Sequence, residues 1–224
     1  MSDAKAGWVE LQAGDGHRLR AYHAEAVGEE LGRLIVAPEI FGINHHIRGV
    51  CDGLARQGFT ALAPDLFDRA ERGVELPYDD AGIQRGIALK GQVSNEAALS
   101  DIAAALAFLG GDRRAAIVGY CWGGSLAWAA ASALPVRAAI GYYGGDIGNR
   151  LADAPRVPTL LHFGEQDHAI PLSVAEEVRA RYPWVPVHTY PAGHGFNCDE
   201  RGSYHRQSAE LALRRTLGLL RAVF

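Results

Sequence analysis

Cys121 lies in the run Ile117-Val118-Gly119-Tyr120-Cys121-Trp122-Gly123-Gly124-Ser125, an apolar strand, a Gly-x-Cys-x-Gly turn and then the small-residue stretch Leu126-Ala127-Trp128-Ala129-Ala130-Ala131. Strand, tight turn and helix in that order form a nucleophile elbow, here with a thiol in the nucleophile's place. The turn forces its central residue into a strained conformation, and glycines on either side leave room for the neighbouring strand and helix. A free thiol is only a few per cent ionised near neutrality, and the thiolate is what attacks, so such a cysteine needs a base. The bland alternative is a glycine-rich turn around a buried structural cysteine, and only partners elsewhere in the chain decide against it.

Those partners follow in the expected order, acid then histidine, each on a loop after a strand. Leu160-Leu161-His162-Phe163 leads into Gly164-Glu165-Gln166-Asp167-His168, which puts Asp167 just past a strand end. Val185-Pro186-Val187-His188-Thr189-Tyr190 leads into Pro191-Ala192-Gly193-His194-Gly195-Phe196, which puts His194 between two glycines on a loop. Of the nine histidines, His45, His46 and His168 compete with it but lack a comparable position, and Glu165 competes with Asp167. In a Cys121–His194–Asp167 triad, the imidazole takes the thiol proton and the carboxylate orients the ring and stabilises its charged form. A helix starting at the elbow adds partial positive charge that favours a thiolate. The Trp122 N–H is the expected first oxyanion donor. The second comes from the loop Ala37-Pro38-Glu39-Ile40-Phe41-Gly42, from Ile40 or Phe41. Glu39, at the carboxyl end of a buried strand, needs a partner or a shifted protonation.

The elements that hold these residues are legible as short apolar runs alternating with helical stretches. Leu34–Ala37, Phe59–Ala63, Ala115–Val118, Ala138–Ile140, Thr159–Phe163 and Val185–His188 are nearly continuous apolar runs, as expected of strands buried on both faces of a parallel sheet. Leu99, Ile102, Leu106 and Leu109 mark one helical face, and Leu213, Leu217, Leu220 and Phe224 another at the C-terminus. Trp8–Gln12 and Arg18–Ala24, split by Gly14-Asp15-Gly16, form an N-terminal hairpin. The expected architecture is α/β: an α/β-hydrolase fold with a mostly parallel, doubly wound sheet flanked by helices, in one domain over residues 1–224. Phe67–Gln92 shows no clear period and reads as an excursion over the carboxyl end of the sheet, where chemistry gathers.

Composition bounds the rest. The chain has 224 residues, 48% of them hydrophobic and 21% charged, and a net charge of −4 without a basic stripe. Neither nucleic acid nor a membrane is expected as a partner. Three cysteines in no CxxC pair argue against disulfide staples or a structural zinc site. The spacing His194-xxx-Cys198 is half of a metal pair with no further ligand in sequence. No phosphate loop or dinucleotide fingerprint is present, so no metal and no organic cofactor are expected. Met1–Trp8 lacks a signal-peptide core and no apolar stretch is long enough to span a bilayer, so the expected compartment is cytoplasm. The expected state is a monomer or small homo-oligomer acting on a small molecule.

Taken together, Pro38-Glu39-Ile40-Phe41-Gly42, Gly119-Tyr120-Cys121-Trp122-Gly123-Gly124, Asp167 and His194 make a chain that resembles the dienelactone hydrolase (carboxymethylenebutenolidase) family from Leu34 to the last helix. The resemblance implies opening of a carboxylate-bearing enol-lactone of aromatic-ring degradation. It also implies that the resting thiol is neutral and bonded to Glu39, which substrate displaces and which then takes the thiol proton. Arg85 corresponds to the arginine that receives the displaced glutamate and the substrate carboxylate, with Phe41 and Tyr142 as further substrate contacts. The family's second arginine, four positions after the histidine, is replaced by Cys198, and a thiol cannot substitute for a bidentate guanidinium. Arg201 and His205 are the candidates to replace it. A broader carboxylesterase or thioesterase, and a non-catalytic binding homologue, are the competing readings.

Overall fold

The computed structural model describes residues 4–224. Eight strands form one sheet in the order β1-β2-β4-β3-β5-β6-β7-β8. The strands are β1 (Ala6–Gln12), β2 (Arg18–Ala24), β3 (Gly32–Ala37), β4 (Phe59–Pro64), β5 (Ala115–Tyr120), β6 (Ala139–Tyr142), β7 (Thr159–Gly164) and β8 (Val187–Tyr190). β1 and β2 are the expected antiparallel hairpin, and β2 pairs antiparallel with β4. From β4 onward every pairing is parallel. The fold class read from the apolar runs is therefore the one observed.

The runs are continuous because both faces of the sheet are buried. Along β3, Leu34 and Val36 join one core with Ile47, Leu54 and Leu220, while Ile35 and Ala37 join the other with Ile102, Leu106 and Leu126. Alternate side chains point to opposite faces, so a strand covered on both sides cannot show a polar stripe. The helices that cover it are α1 (His45–Arg56), α2 (Asp80–Lys90), α3 (Asn95–Phe108), α4 (Trp122–Ala133), α5 (Leu172–Arg181) and α6 (Arg206–Val223). Side chains satisfy the first N–H groups of three of them: Asn44 accepts from Ile47, Asp79 from Gly82 and Ser94 from Ala97.

The excursion from Phe67 to Gln92 is more regular than its sequence suggests. It holds part of a 3₁₀ turn, Leu66–Arg69, and the whole of α2. Three of the eleven residues of α2 are buried, two of them glycines (Gly82, Gly86 and Leu89). A helix seated on glycines has no apolar stripe for a period-based reading to find.

Candidate active site

Cys121 caps the N-terminus of α4 with φ 52° and ψ −111°. A positive φ in a non-glycine residue stores about 1–3 kcal/mol, which the surrounding elements must hold in place. Gly119 and Gly123 make the turn possible. A Cβ on Gly119 would lie 1.9 Å from the Gly123 carbonyl oxygen, and one on Gly123 would lie 2.0 Å from that of Ala37. The Gly123 N–H donates to Pro38 at 3.0 Å, which joins the elbow to the loop after β3.

The loops after β7 and β8 bring the other two groups to the sulfur. His194 Nε2 lies 3.2 Å from Cys121 Sγ, and His194 Nδ1 lies 2.7 Å from Asp167 Oδ2. The Asp167 carboxylate is 1% exposed, and its other oxygen accepts from the N–H groups of Ala169 and Ile170 at 2.8 and 3.1 Å. Burial pulls the His194 pKa down, but the hydrogen bonds to Asp167 and Cys121 outweigh it and raise the pKa to about 10. The ring thus stands between the sulfur and the Asp167 carboxylate, in position to exchange a proton with the Cys121 thiol. Glu165, the competing acid, is exposed. Of the competing histidines, His45 pairs with Glu200 and His46 with Asp199, while His168 sits on the cavity wall.

A cavity of about 720 Å³ opens above the sulfur, walled by Ile40, Phe41, Ile83, Ile87, Arg201 and Tyr204 and reaching His194. The N–H groups of Trp122 and Ile40 donate to no other group among the described residues, as oxyanion donors must. The Trp122 ring itself is stacked on Phe67 at 5.5 Å between centroids. Phe41 lies on the cavity wall.

Two expected substrate contacts are elsewhere. Arg85 is exposed and its guanidinium pairs with Glu71. The wall of the cavity takes Ile83 and Ile87 of α2, one turn apart, and Arg85 between them projects from the opposite side. Tyr142, the last residue of β6, is in the core, its hydroxyl 2.7 Å from Thr216 Oγ1 and its ring against Tyr120 and His162. The tyrosine near the catalytic groups is Tyr143, with φ 37° and its ring 5.1 Å from that of His194. Tyr143 follows the last strand residue, and its positive φ turns its ring toward His194 while both tyrosines stay buried in one core; the Tyr-Tyr doublet does not reveal which member turns toward the site.

The guanidinium at the cavity is that of Arg201, with Nη1 3.4 Å from Glu39 Oε1 and its carbon 5.5 Å from the Phe41 ring centre. Of the two candidates for the missing second arginine, both reach the cavity, and Arg201 carries the charge there. Glu39 is buried, and its Oε2 has no hydrogen-bond partner among the described residues. The expected bond between Glu39 and a resting thiol is not the arrangement found. The thiol faces His194, and Glu39 faces an arginine, which is Arg201 rather than Arg85. Ile83 and Ile87 on the wall are marked in the sequence only by their four-residue spacing, and nothing in the sequence marks Tyr204.

A model of the dienelactone hydrolase family matches residues 19–224. Carboxymethylenebutenolidase of Pseudomonas putida is 32% identical over 223 residues, covering 95% of this chain and 94% of that protein. Carboxymethylenebutenolidase 1 of Cupriavidus pinatubonensis is 32% identical, covering 95% of each. The crystal structure of a candidate dienelactone hydrolase from Klebsiella pneumoniae superposes with a TM-score of 0.83 at 30% identity over 100% of both chains. The elbow, the acid loop and the histidine loop all fall inside the matched region, and on that match this chain, with its α/β-hydrolase fold, belongs to the dienelactone hydrolase family.

Proposed function

We propose that this protein is a cysteine-dependent hydrolase that opens a carboxylate-bearing enol-lactone of the dienelactone type through an acyl-enzyme. The observation that carries the proposal is the unbroken line Asp167–His194–Cys121, at 2.7 and 3.2 Å, beneath a cavity that holds a guanidinium. The Cys121 thiolate attacks the lactone carbonyl carbon, and the carbonyl oxygen takes the negative charge between the N–H groups of Trp122 and Ile40. One such donor contributes roughly 3 kcal/mol to the transition state. The ring C–O bond then breaks, and the His194 imidazolium gives its proton to the departing enol oxygen. A water, deprotonated by the now neutral His194, cleaves the thioester and returns the thiol. Arg201 binds the substrate carboxylate.

A broader esterase or thioesterase is the second reading, favoured by the size of the cavity, about 720 Å³. A small lactone fills only part of such a space.

The test is turnover of lactones and p-nitrophenyl esters, each with and without a carboxylate, by the wild type and by Cys121→Ala. The expected result is preference for carboxylate-bearing lactones and loss of turnover by at least about 10⁴-fold in a variant that keeps its circular dichroism and melting temperature. Near-normal turnover in folded Cys121→Ala refutes the nucleophile assignment. Equal rates on neutral and carboxylate-bearing substrates transfer the chemistry to the broader esterase.

A further inference from the structure

His46, at the start of α1, and Asp199, in the loop between β8 and α6, are 153 positions apart, yet they meet at 2.9 Å through Nδ1 and Oδ1. Cys198 completes the group: one donor atom from each of the three residues lies within 4.8 Å of the others. The spacing in the chain pairs Cys198 with His194, but the fold pairs it with His46 and Asp199. The His46 side chain is only 6% exposed, and its Nε2 is buried without a hydrogen-bond partner among the described residues. Cys198 is fully buried. Asp199, by contrast, is 67% exposed, and with His46 it lines a second cavity of about 400 Å³. An ion can therefore arrive from solvent and keep a water on the open side.

We propose that His46, Cys198 and Asp199 form a binding site for a divalent, borderline-soft cation of the zinc type, with three protein ligands and a fourth position open to water. The donor set selects the metal. Sulfur, imidazole nitrogen and one carboxylate oxygen suit zinc-like ions, whereas calcium and magnesium take nearly all-oxygen sites. Bonds of about 2.0–2.3 Å set tetrahedral ligand atoms about 3.3–3.8 Å apart, so even a separation at the 4.8 Å limit closes by no more than about 1.5 Å. The balance is simple: the Cys198 S–H bond breaks, a sulfur–metal bond forms, and one proton leaves to solvent. Neutral His46 binds through a lone pair, and thiolate and carboxylate together cancel the two positive charges. The bound ion ties α1 to the loop that carries His194 and Arg201, so the site would brace the catalytic loop from behind. The proposal stands on these three residues and does not depend on the hydrolytic reaction.

The experiment uses the full chain carrying Cys121→Ser, which removes the competing Cys121–His194 pair and leaves Cys51 sealed in the core. Cobalt(II) is titrated by absorbance and zinc by calorimetry in buffers of different ionisation enthalpy. The expected result is one equivalent of cobalt with a thiolate-to-cobalt charge-transfer band, and about one proton released per zinc. Adding Cys198→Ser abolishes the band. Adding Asp199→Asn, an exposed change that leaves the fold alone, weakens zinc by at least about tenfold. No band in Cys121→Ser, a band that persists without Cys198, or zinc affinity indifferent to Asp199→Asn would each overturn the site.

Discussion

Arg201 and Glu39 face each other at 3.4 Å, a long contact for an ion pair whose two side chains are 16% and 0% exposed. On the proposed function, this loosely held guanidinium exchanges its buried carboxylate for the one carried by the substrate. On the proposed function, that exchange frees Glu39, whose Oε2 has no partner among the described residues, to take the Cys121 thiol proton before attack. Arg201→Met keeps the aliphatic stem and removes the charge. It should raise KM for carboxylate-bearing lactones by about 10–100-fold, the value of a charge-assisted hydrogen bond, and leave neutral esters nearly unchanged. Glu39→Gln keeps the shape and removes the base, and should lower kcat on the same lactones by about 10²-fold or more with KM less affected. Steady-state kinetics on both substrate types checks the pair. If Glu39 serves only to hold Arg201, the two variants shift KM together, the double variant adds nothing, and the base role is lost.

At the scale of elements, α2 is what shapes the cavity mouth, and it is held by an unusually close approach. A Cβ on Gly86 would lie 2.0 Å from the Ile40 carbonyl oxygen. Backbone cannot yield to that degree, so Gly86→Ala must move α2 outward or tilt the loop whose Ile40 N–H is the proposed second oxyanion donor. Misplacement of a catalytic group by about an ångström costs up to about 10²-fold. Gly86→Ala is therefore expected to lower kcat by about 10–10²-fold while the far-ultraviolet circular dichroism stays native. Wild-type kcat in this variant would mean that the loop after β3 is positioned by the elbow alone, through the Gly123 N–H bond to Pro38.

At the scale of the whole molecule, a buried carboxylate with a raised pKa lies away from the site, where β2 meets the turn after β4. Asp65 is 1% exposed, with Asp68 beside it and Arg20 as its cation at 3.2 Å. Burial first, and then the Asp68 charge, raises its pKa to about 7 in spite of Arg20. The unfolded value is near 3.9. A folded pKa above the unfolded one means that the contribution is fully present below about pH 4 and lost as pH rises through 7. Asp65→Asn removes the titration. Its melting temperature relative to wild type should therefore improve from pH 4.5 to pH 8, by the equivalent of about 1–3 kcal/mol. Parallel thermal melts at the two pH values decide it, and a constant difference would show that Asp65 is ionised throughout.

The order of apolar runs, the Gly-x-Cys-x-Gly turn and the two strand-end loops determined the sheet, its parallel core and the positions of Cys121, Asp167 and His194, because each depends on local spacing. A buried strand, a tight turn and a loop after a strand end leave their marks within a few residues of chain. What only the tertiary structure decided were the choices among side chains of equal local merit. Arg85 and Arg201 are both arginines near the site in sequence terms, and the rotation of α2 about its own axis sends one to Glu71 and leaves the other facing Glu39. Tyr142 and Tyr143 are both buried at a strand end, and the positive φ of the second, past the end of β6, is what brings its ring to His194 while the first meets Thr216. His46 meets Cys198 and Asp199 only because α1 and the loop after β8 pack together across 153 positions. Such choices depend on how distant segments pack, which no local pattern encodes.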